Sequence, residues 1–358
     1  MVANISLKQL RKVYGGKSVL VTGHTGFKGA WLTQILILSG ARVTGYALNP
    51  PTKPSLFKAL KLKNKIRSVN GDIRNLKRLH KVVCKSQPDI IFHLAAQPLV
   101  RESYQDPIYT YQTNLIGTAN VLEVIRQEYV KAGVIITTDK VYENAEQKEK
   151  LYCESDKLGG RDPYSSSKAC ADLCCDCYNK SFLIDQKCFV ASARSGNVIG
   201  GGDWAKDRLI PDAVRAFFEN RDPLLIRMPH SIRPWQHVFE PIGGYLLLGA
   251  ELLKKNPKAI GSWNFAPEPK DMLKVCEIVD KFIRSSGAGS YRVDEPKKKL
   301  HEARYLRLSN KKAKSKLGYK PVFCVDEAIE LTAQWYRAYY QGKDIVEFSI
   351  KQIKQYFK

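Results

Sequence analysis

The chain has 358 residues, of which 44% are hydrophobic and 26% charged, with a formal net charge of +23. That length allows a large core and about two domains, and no stretch reaches the roughly 18 apolar residues of a membrane-crossing helix. The excess of Lys and Arg is spread over 53–65, 77–85, 254–258, 297–299 and 311–316 without aromatics interleaved in a stacking pattern, so solvated faces are expected, with no nucleic acid and no membrane as partner.

Residues 1–16 carry Lys8, Arg11 and Lys12 but no apolar signal core, and the nine cysteines are odd in number. Both features point to a reducing, cytoplasmic setting. Val19 to Thr22 then reads as a strand that runs into glycines 23, 26 and 29, with an apolar helix over 30–38. Strand, glycine turn and helix open a βαβ unit whose helix N-terminus can hold a pyrophosphate. Gly23 would make the tight turn, Gly26 would let phosphate approach the backbone, and Gly29 would let the helix pack on the strand.

Residues 41–48 form a second strand. Where an acidic side chain often meets the adenosine ribose, about twenty residues past Gly29, stands the neutral Asn49. This favours NAD and leaves NADP open, with Arg42 and Lys53 as candidate partners of a 2′-phosphate. A short basic helix over 55–63 and a third strand over 66–70 lead to Gly71-Asp72-Ile73. Asp72 either accepts from the adenine amino group or caps the helix over 76–86, a role Asn75 could also fill.

Residues 88–94 are a continuous apolar run, the mark of a buried parallel strand. The run ends at Ala95-Ala96-Gln97, where a cofactor could press on the backbone. A long helix over 109–126 contains Asn114. The strand over 134–137 delivers Thr138-Asp139-Lys140 to its carboxyl end, where open α/β sheets place their chemistry. Tyr164 and Lys168, four apart at the head of the next helix, share one face. An ammonium beside a phenol lowers the phenol pKa and makes it a usable base. Cys170, Cys174 and Cys177 are expected as one buried stripe. The C-x-x-C at 174–177 has no second pair and no nearby His, so no metal is expected.

Together, G-x-x-G-x-x-G from Gly23, Asp72, Ala95-Ala96, Thr138 and Tyr164-x-x-x-Lys168 resemble the extended short-chain dehydrogenase/reductases. The strings at 22–29, 96–101, 194–204, 207–212 and 232–238 are similar to the nucleotide-sugar 4,6-dehydratase branch, and within it to the group acting on CDP-glucose. The resemblance runs from about residue 18 to past 340. It implies an α/β fold: a Rossmann-type doubly wound parallel sheet over 1–200, with 232–255 returning to it. A smaller C-terminal α/β nucleotide-sugar-binding domain would occupy 201–358, with helix and strand over 209–220 and 224–228.

It also implies roles. Tyr164 would take the proton of the sugar 4-hydroxyl, Thr138 would bond the same oxygen, and Lys168 would hold the nicotinamide ribose. Asp139 would be the acid for the departing C6 hydroxyl, and Lys140 either the C5 base or a cationic stabiliser of the enolate. The NAD contacts would be Gly23, Thr25, Gly26, Phe27, Gly29, Asn49, Asp72, Ile73, Ala95, Ala96, Gln97 and Asn114, besides Tyr164 and Lys168. The CDP-glucose contacts would be Arg101, Asn197, Leu209 and Tyr305, with Arg208, Arg227 and Arg233 as guanidinium forks on the diphosphate. The helices over 109–126 and 165–181 imply a homodimer through a four-helix bundle, or a tetramer. His237 and His301 read as structural, and Trp335, Tyr336, Tyr339 and Tyr340 as core. Two readings stay open beside this one. A nucleotide-sugar 4-epimerase has no use for Asp139-Lys140, and a non-catalytic cofactor sensor or nucleic-acid binder has no use for a tuned phenol.

Overall fold

Seven parallel strands make the central sheet: β1 (Ser18–Thr22), β2 (Arg42–Ala47), β3 (Arg67–Asn70), β4 (Ile90–His93), β5 (Ala132–Ile136), β6 (Phe189–Ser195) and β7 (Gly261–Phe265). They come from a computed structural model that describes residues 5–294 and 303–358, so that His301 and the basic run 297–299 lie outside the described residues. The spatial order is β7-β6-β5-β4-β1-β2-β3. The winding reverses between β1 and β4, which is where such a sheet opens its crevice. β1, β5 and β6 are buried along their whole length; β1 and β5 are near-continuous apolar runs, whereas in β6 the polar Ser192 and Arg194 are buried against Asp172.

One face of the sheet is covered by helices Leu7–Tyr14, Phe27–Leu38 and Phe239–Leu253, the other by Leu76–Ser86, Gly117–Gln127 and Pro163–Tyr178. Phe27–Leu38 packs on the sheet and, along its flank, on Phe239–Leu253, with the Trp31 ring edge-on to Phe239 at 5.0 Å. That double contact explains why its sequence is apolar nearly all round. Phe239–Leu253 thus packs against the sheet, as expected of the returning segment. Among the described residues no helix is long and apolar enough to cross a membrane.

β7 has no signature in the sequence pattern, because its polar residues face inward. Asn264 Oδ1 accepts from the Tyr142 hydroxyl at 2.8 Å, and Ser262 Oγ donates to Asp172 at 3.0 Å. The long helix runs over 107–127 with a π turn at Gln112–Ile116, and further π turns follow at Asn179–Leu183 and Arg215–Asn220. The cysteine stripe differs from expectation: Cys175 is buried, while Cys170 and Cys174 are half-buried and Cys177 is exposed. Tyr164, Lys168 and Asp172 take the inward face of that helix, and this turns 170, 174 and 177 outward. Trp335 and Tyr336 are core as expected, whereas Tyr339 and Tyr340 are half-buried. Trp204 packs among Trp335, Tyr336 and Tyr339, fixing the glycine-rich turn after β6 to the C-terminal helices.

Candidate active site

The turn after β1 is built by contacts that only glycine tolerates. Gly23 sits at φ +73°, and a Cβ there would lie 2.7 Å from Ala95 N. At Gly29 a Cβ would lie 2.1 Å from the Gly23 carbonyl oxygen. Gly26, by contrast, faces open space except for that same oxygen at 3.4 Å. It caps Phe27–Leu38 without a side-chain bond, and no acidic residue stands in the first turn. The first N–H groups are therefore left for an anion, and the cradle fits a pyrophosphate. Thr25 anchors the loop, its Oγ1 donating to the Leu48 carbonyl at 3.0 Å.

Around this turn the remaining cofactor candidates divide. Asn49 is exposed at the carboxyl end of β2, where its Oδ1 accepts from Asn70 at 2.8 Å. Arg42 begins β2 at the opposite edge of the sheet, so it is not a 2′-phosphate partner; Lys53 stays on the Asn49 side. The cap of Leu76–Ser86 is Asn75, whose Oδ1 accepts from Arg78 N at 3.0 Å. Asp72 instead pairs with Arg74 at 2.7 Å, and that hydrogen-bonded guanidinium holds its carboxyl below the usual range. Ile73 is buried, with its carbonyl accepting from Asn120 at 3.0 Å. Ala95 and Ala96 border the Gly23 turn, half-buried. Asn114 acts as a strut: it accepts from Gln97 N at 2.9 Å and donates to Gln97 O at 3.1 Å and Ser167 Oγ at 2.9 Å. It thereby ties the 95–97 segment to the helix that carries Tyr164 and Lys168.

Beyond β5 the catalytic candidates converge. Thr138 Oγ1 donates to Asp139 Oδ1 at 3.0 Å and accepts from Lys140 N at 3.4 Å. Asp139 is buried, its Oδ2 has no hydrogen-bond partner among the described residues, and desolvation raises its pKa against the pull of Lys140. Lys140 Nζ stands 5.9 Å from the Tyr164 ring centroid. Burial pushes Tyr164 up to about 12, opposed by a hydrogen bond with Thr138 and by the charge of Arg208. Lys168, expected to depress that phenol, donates to the Ile136 carbonyl at 3.0 Å, and burial lowers its own pKa to about 8. The reason is desolvation, which disfavours both charged forms at once, and the opposing pull on the phenol comes from Thr138 and Arg208.

Asp172, one turn beyond Lys168, receives a two-pronged ion pair from Arg194 at 2.9 and 3.0 Å, with further bonds from Thr137 at 2.9 Å and Ser192 at 2.5 Å. This buried knot joins the helix to β5 and β6 directly behind Thr138. A residue the sequence reading passed over is Lys28. Its Nζ donates to Ser195 Oγ at 2.9 Å, and burial together with the charge of Arg208 lowers its pKa to about 7.

A cleft of about 360 Å³ joins these groups to the substrate candidates. Arg101, Asn197, Arg208, Leu209, Arg227 and Arg233 all line it, and so does Arg161, which the sequence reading missed. Arg208 pairs with Asp203 at 2.9 Å, while Arg101 and Arg227 share Asp207 at 3.2 and 3.3 Å. Arg233 Nη1 donates to the Ile232 carbonyl at 2.9 Å. Tyr305 is bridged to Ile232, but the cleft wall is formed by its neighbours Ala303 and Leu306. His237 is fully buried against Phe239 and Phe323, and burial lowers its pKa to about 3, which fits a packing role.

A glycine-cradled anion site thus faces a Thr-Tyr-Lys group and a buried acid across one cleft. A model of the GDP-mannose 4,6 dehydratase family matches residues 20–332. The chain belongs to this family. Among its relatives is the CDP-glucose 4,6-dehydratase of Salmonella typhimurium, 44% identical over 352 residues that cover 97% of this chain and 98% of that protein. The dTDP-glucose 4,6-dehydratase of the same organism is 24% identical, covering 89% and 92%. A dTDP-glucose 4,6-dehydratase from Streptomyces venezuelae, solved with NAD bound, superposes with a TM-score of 0.78 at 24% identity, over 92% of this chain and 99% of that one. A UDP-glucose 4-epimerase from Thermotoga maritima gives 0.77 at 20% identity over 90% and 99%. The expected fold and family are borne out. The fold by itself serves both dehydratases and epimerases.

Proposed function

We propose that this chain is an NAD-dependent CDP-glucose 4,6-dehydratase that forms CDP-4-keto-6-deoxyglucose. The observation that carries this reading is the buried, unpartnered carboxyl oxygen of Asp139 beside Thr138, Lys140 and Tyr164. An epimerase needs no such acid, and the 44% likeness to a CDP-glucose enzyme supports the choice of nucleotide. NAD, held on the Gly23–Gly29 turn, supplies the acceptor for the C4 hydride and the donor that returns it to C6.

The residues do the rest. Tyr164 takes the proton of the sugar 4-hydroxyl as a phenolate, a form that Thr138 and Arg208 favour against burial, and Thr138 bonds the same oxygen. Lys168 orients the nicotinamide ribose. The 4-ketone acidifies C5–H; Lys140 receives that proton or stabilises the enolate, and Asp139, whose pKa burial raises, gives a proton to the departing C6 hydroxyl. Arg101, Arg208, Arg227 and Arg233 hold the diphosphate. The cofactor part is then the sheet up to about residue 200 together with 239–265, and the nucleotide-sugar part draws on 196–235 and the segment after 303.

An outward apolar face on the two helices over 107–127 and 163–183 supports a homodimer through a four-helix bundle. Ile108 is 66% exposed, Leu173 56% and Ile116 50%. Nine free thiols support a reducing, cytoplasmic setting. Incubation with NAD and CDP-, dTDP-, GDP- and UDP-glucose, read by mass spectrometry, tests the function. Loss of one water from CDP-glucose in preference to the others is expected, whereas isomerisation at constant mass would sink it.

A further inference from the structure

On the side of the molecule away from the cleft, three donor side chains meet where two helices end. His80 and Cys84 are one turn apart on Leu76–Ser86, and Glu128 is the C-cap of Gly117–Gln127. Cys84 Sγ lies 3.6 Å from His80 Nδ1 and 3.7 Å from Nε2, and His80 Nε2 is 2.7 Å from Glu128 Oε1. One donor atom from each residue falls within 4.8 Å of the others. Tetrahedral ligands at the usual zinc distances sit about 3.3–3.8 Å apart. The Cys–His spacing already matches, and the His–Glu pair must open by roughly 0.6–0.7 Å. All three side chains are half-buried, which leaves room for a water as fourth ligand. Both helices also point their carbonyl ends at this corner, a polarity that favours a cation.

We propose that His80, Cys84 and Glu128 form a site for a borderline-soft divalent cation of the zinc type, clamping Leu76–Ser86 to the end of Gly117–Gln127. Thiolate, imidazole and a single carboxylate select such an ion over magnesium or calcium. On binding, the Cys84 S–H bond breaks, its proton goes to solvent and an S–metal bond forms, with no change of oxidation state. The sequence hides the site because Glu128 is far from the His80–Cys84 pair along the chain.

The test titrates cobalt(II) chloride into the chelator-treated full chain and follows absorption. One equivalent per chain is expected, with a near-ultraviolet thiolate-to-cobalt band that zinc chloride abolishes. Cys84→Ala should lose that band, and His80→Asn, which leaves the thiol in place, should weaken binding. Turnover of CDP-glucose by both variants, which lie outside the cleft, reports that they are folded. Absence of a thiolate band in the wild-type chain, or its survival in Cys84→Ala, would overturn the proposal.

Discussion

Asp139→Asn keeps the size of the side chain and removes its proton. Asn can still accept the Thr138 hydrogen bond on its oxygen, and its amide replaces an oxygen that has no partner, so the fold should survive. Sign fixes the stability effect. Burial raises the Asp139 pKa, so the native state binds more protons than the unfolded one between the two pKa values. Its stability therefore falls as pH rises through that window. The variant escapes this penalty and should melt at the same temperature or higher at pH 7, with little change in acid. Catalysis should lose the acid step alone, a factor of roughly 10²–10⁴, or about 3–5 kcal/mol. C4 oxidation needs Tyr164, Thr138 and Lys168 but not Asp139. Rapid mixing with CDP-glucose should thus show reduced nicotinamide accumulating to near the enzyme concentration, while formation of the 6-deoxy product slows. Full turnover by the variant, or loss of the oxidation burst along with the product, would refute the assignment.

Four other outcomes follow. With burial holding Lys168 near 8, its charge is present below that pH and lost above it. kcat/KM should therefore decline above about pH 8, and a flat profile to pH 10 would contradict the need for that charge. Gly29→Ala places a methyl 2.1 Å from the Gly23 carbonyl. It should cost about 1–3 kcal/mol or more in urea unfolding and abolish NAD binding measured by calorimetry. Asp172→Ala leaves Arg194 buried without its partner, both side chains being at most 2% exposed. A loss of about 3–5 kcal/mol is expected by chemical denaturation. Leu173→Glu, on the helix face of the proposed homodimer interface, should shift the mass seen by light scattering to that of a monomer, with the melting point of the chain little changed.

Much of this was legible in the sequence, and where legibility failed the cause was specific. β1, β4 and β5 are buried on both faces, so apolar runs marked them. β7 is buried over Trp263–Phe265 and half-buried before that, but its Ser262 and Asn264 spend their polarity on Asp172 and Tyr142, and no periodicity shows that. Helix Pro163–Tyr178 was found in its place, yet the wrong cysteines were turned inward. The spacing of 170, 174 and 177 describes a stripe without saying which stripe wins the core, and the Asp172–Arg194 knot decides it. The candidate catalytic residues could be named because strand ends and glycine turns are local features. Their electrostatics could not, since the high Tyr164 pKa and the low Lys28 pKa arise from burial by segments distant in sequence.

The central claim is that one sugar is oxidised at C4, dehydrated across C5–C6 and reduced at C6 without leaving the cleft. The most direct test is turnover of CDP-glucose deuterated at C4, in ordinary water, with the product examined by NMR. The account predicts a 4-keto sugar whose C6 methyl carries the deuterium and whose C5 hydrogen comes from solvent. Deuterium found still at C4 of an isomerised sugar, or lost from the product altogether, would contradict it.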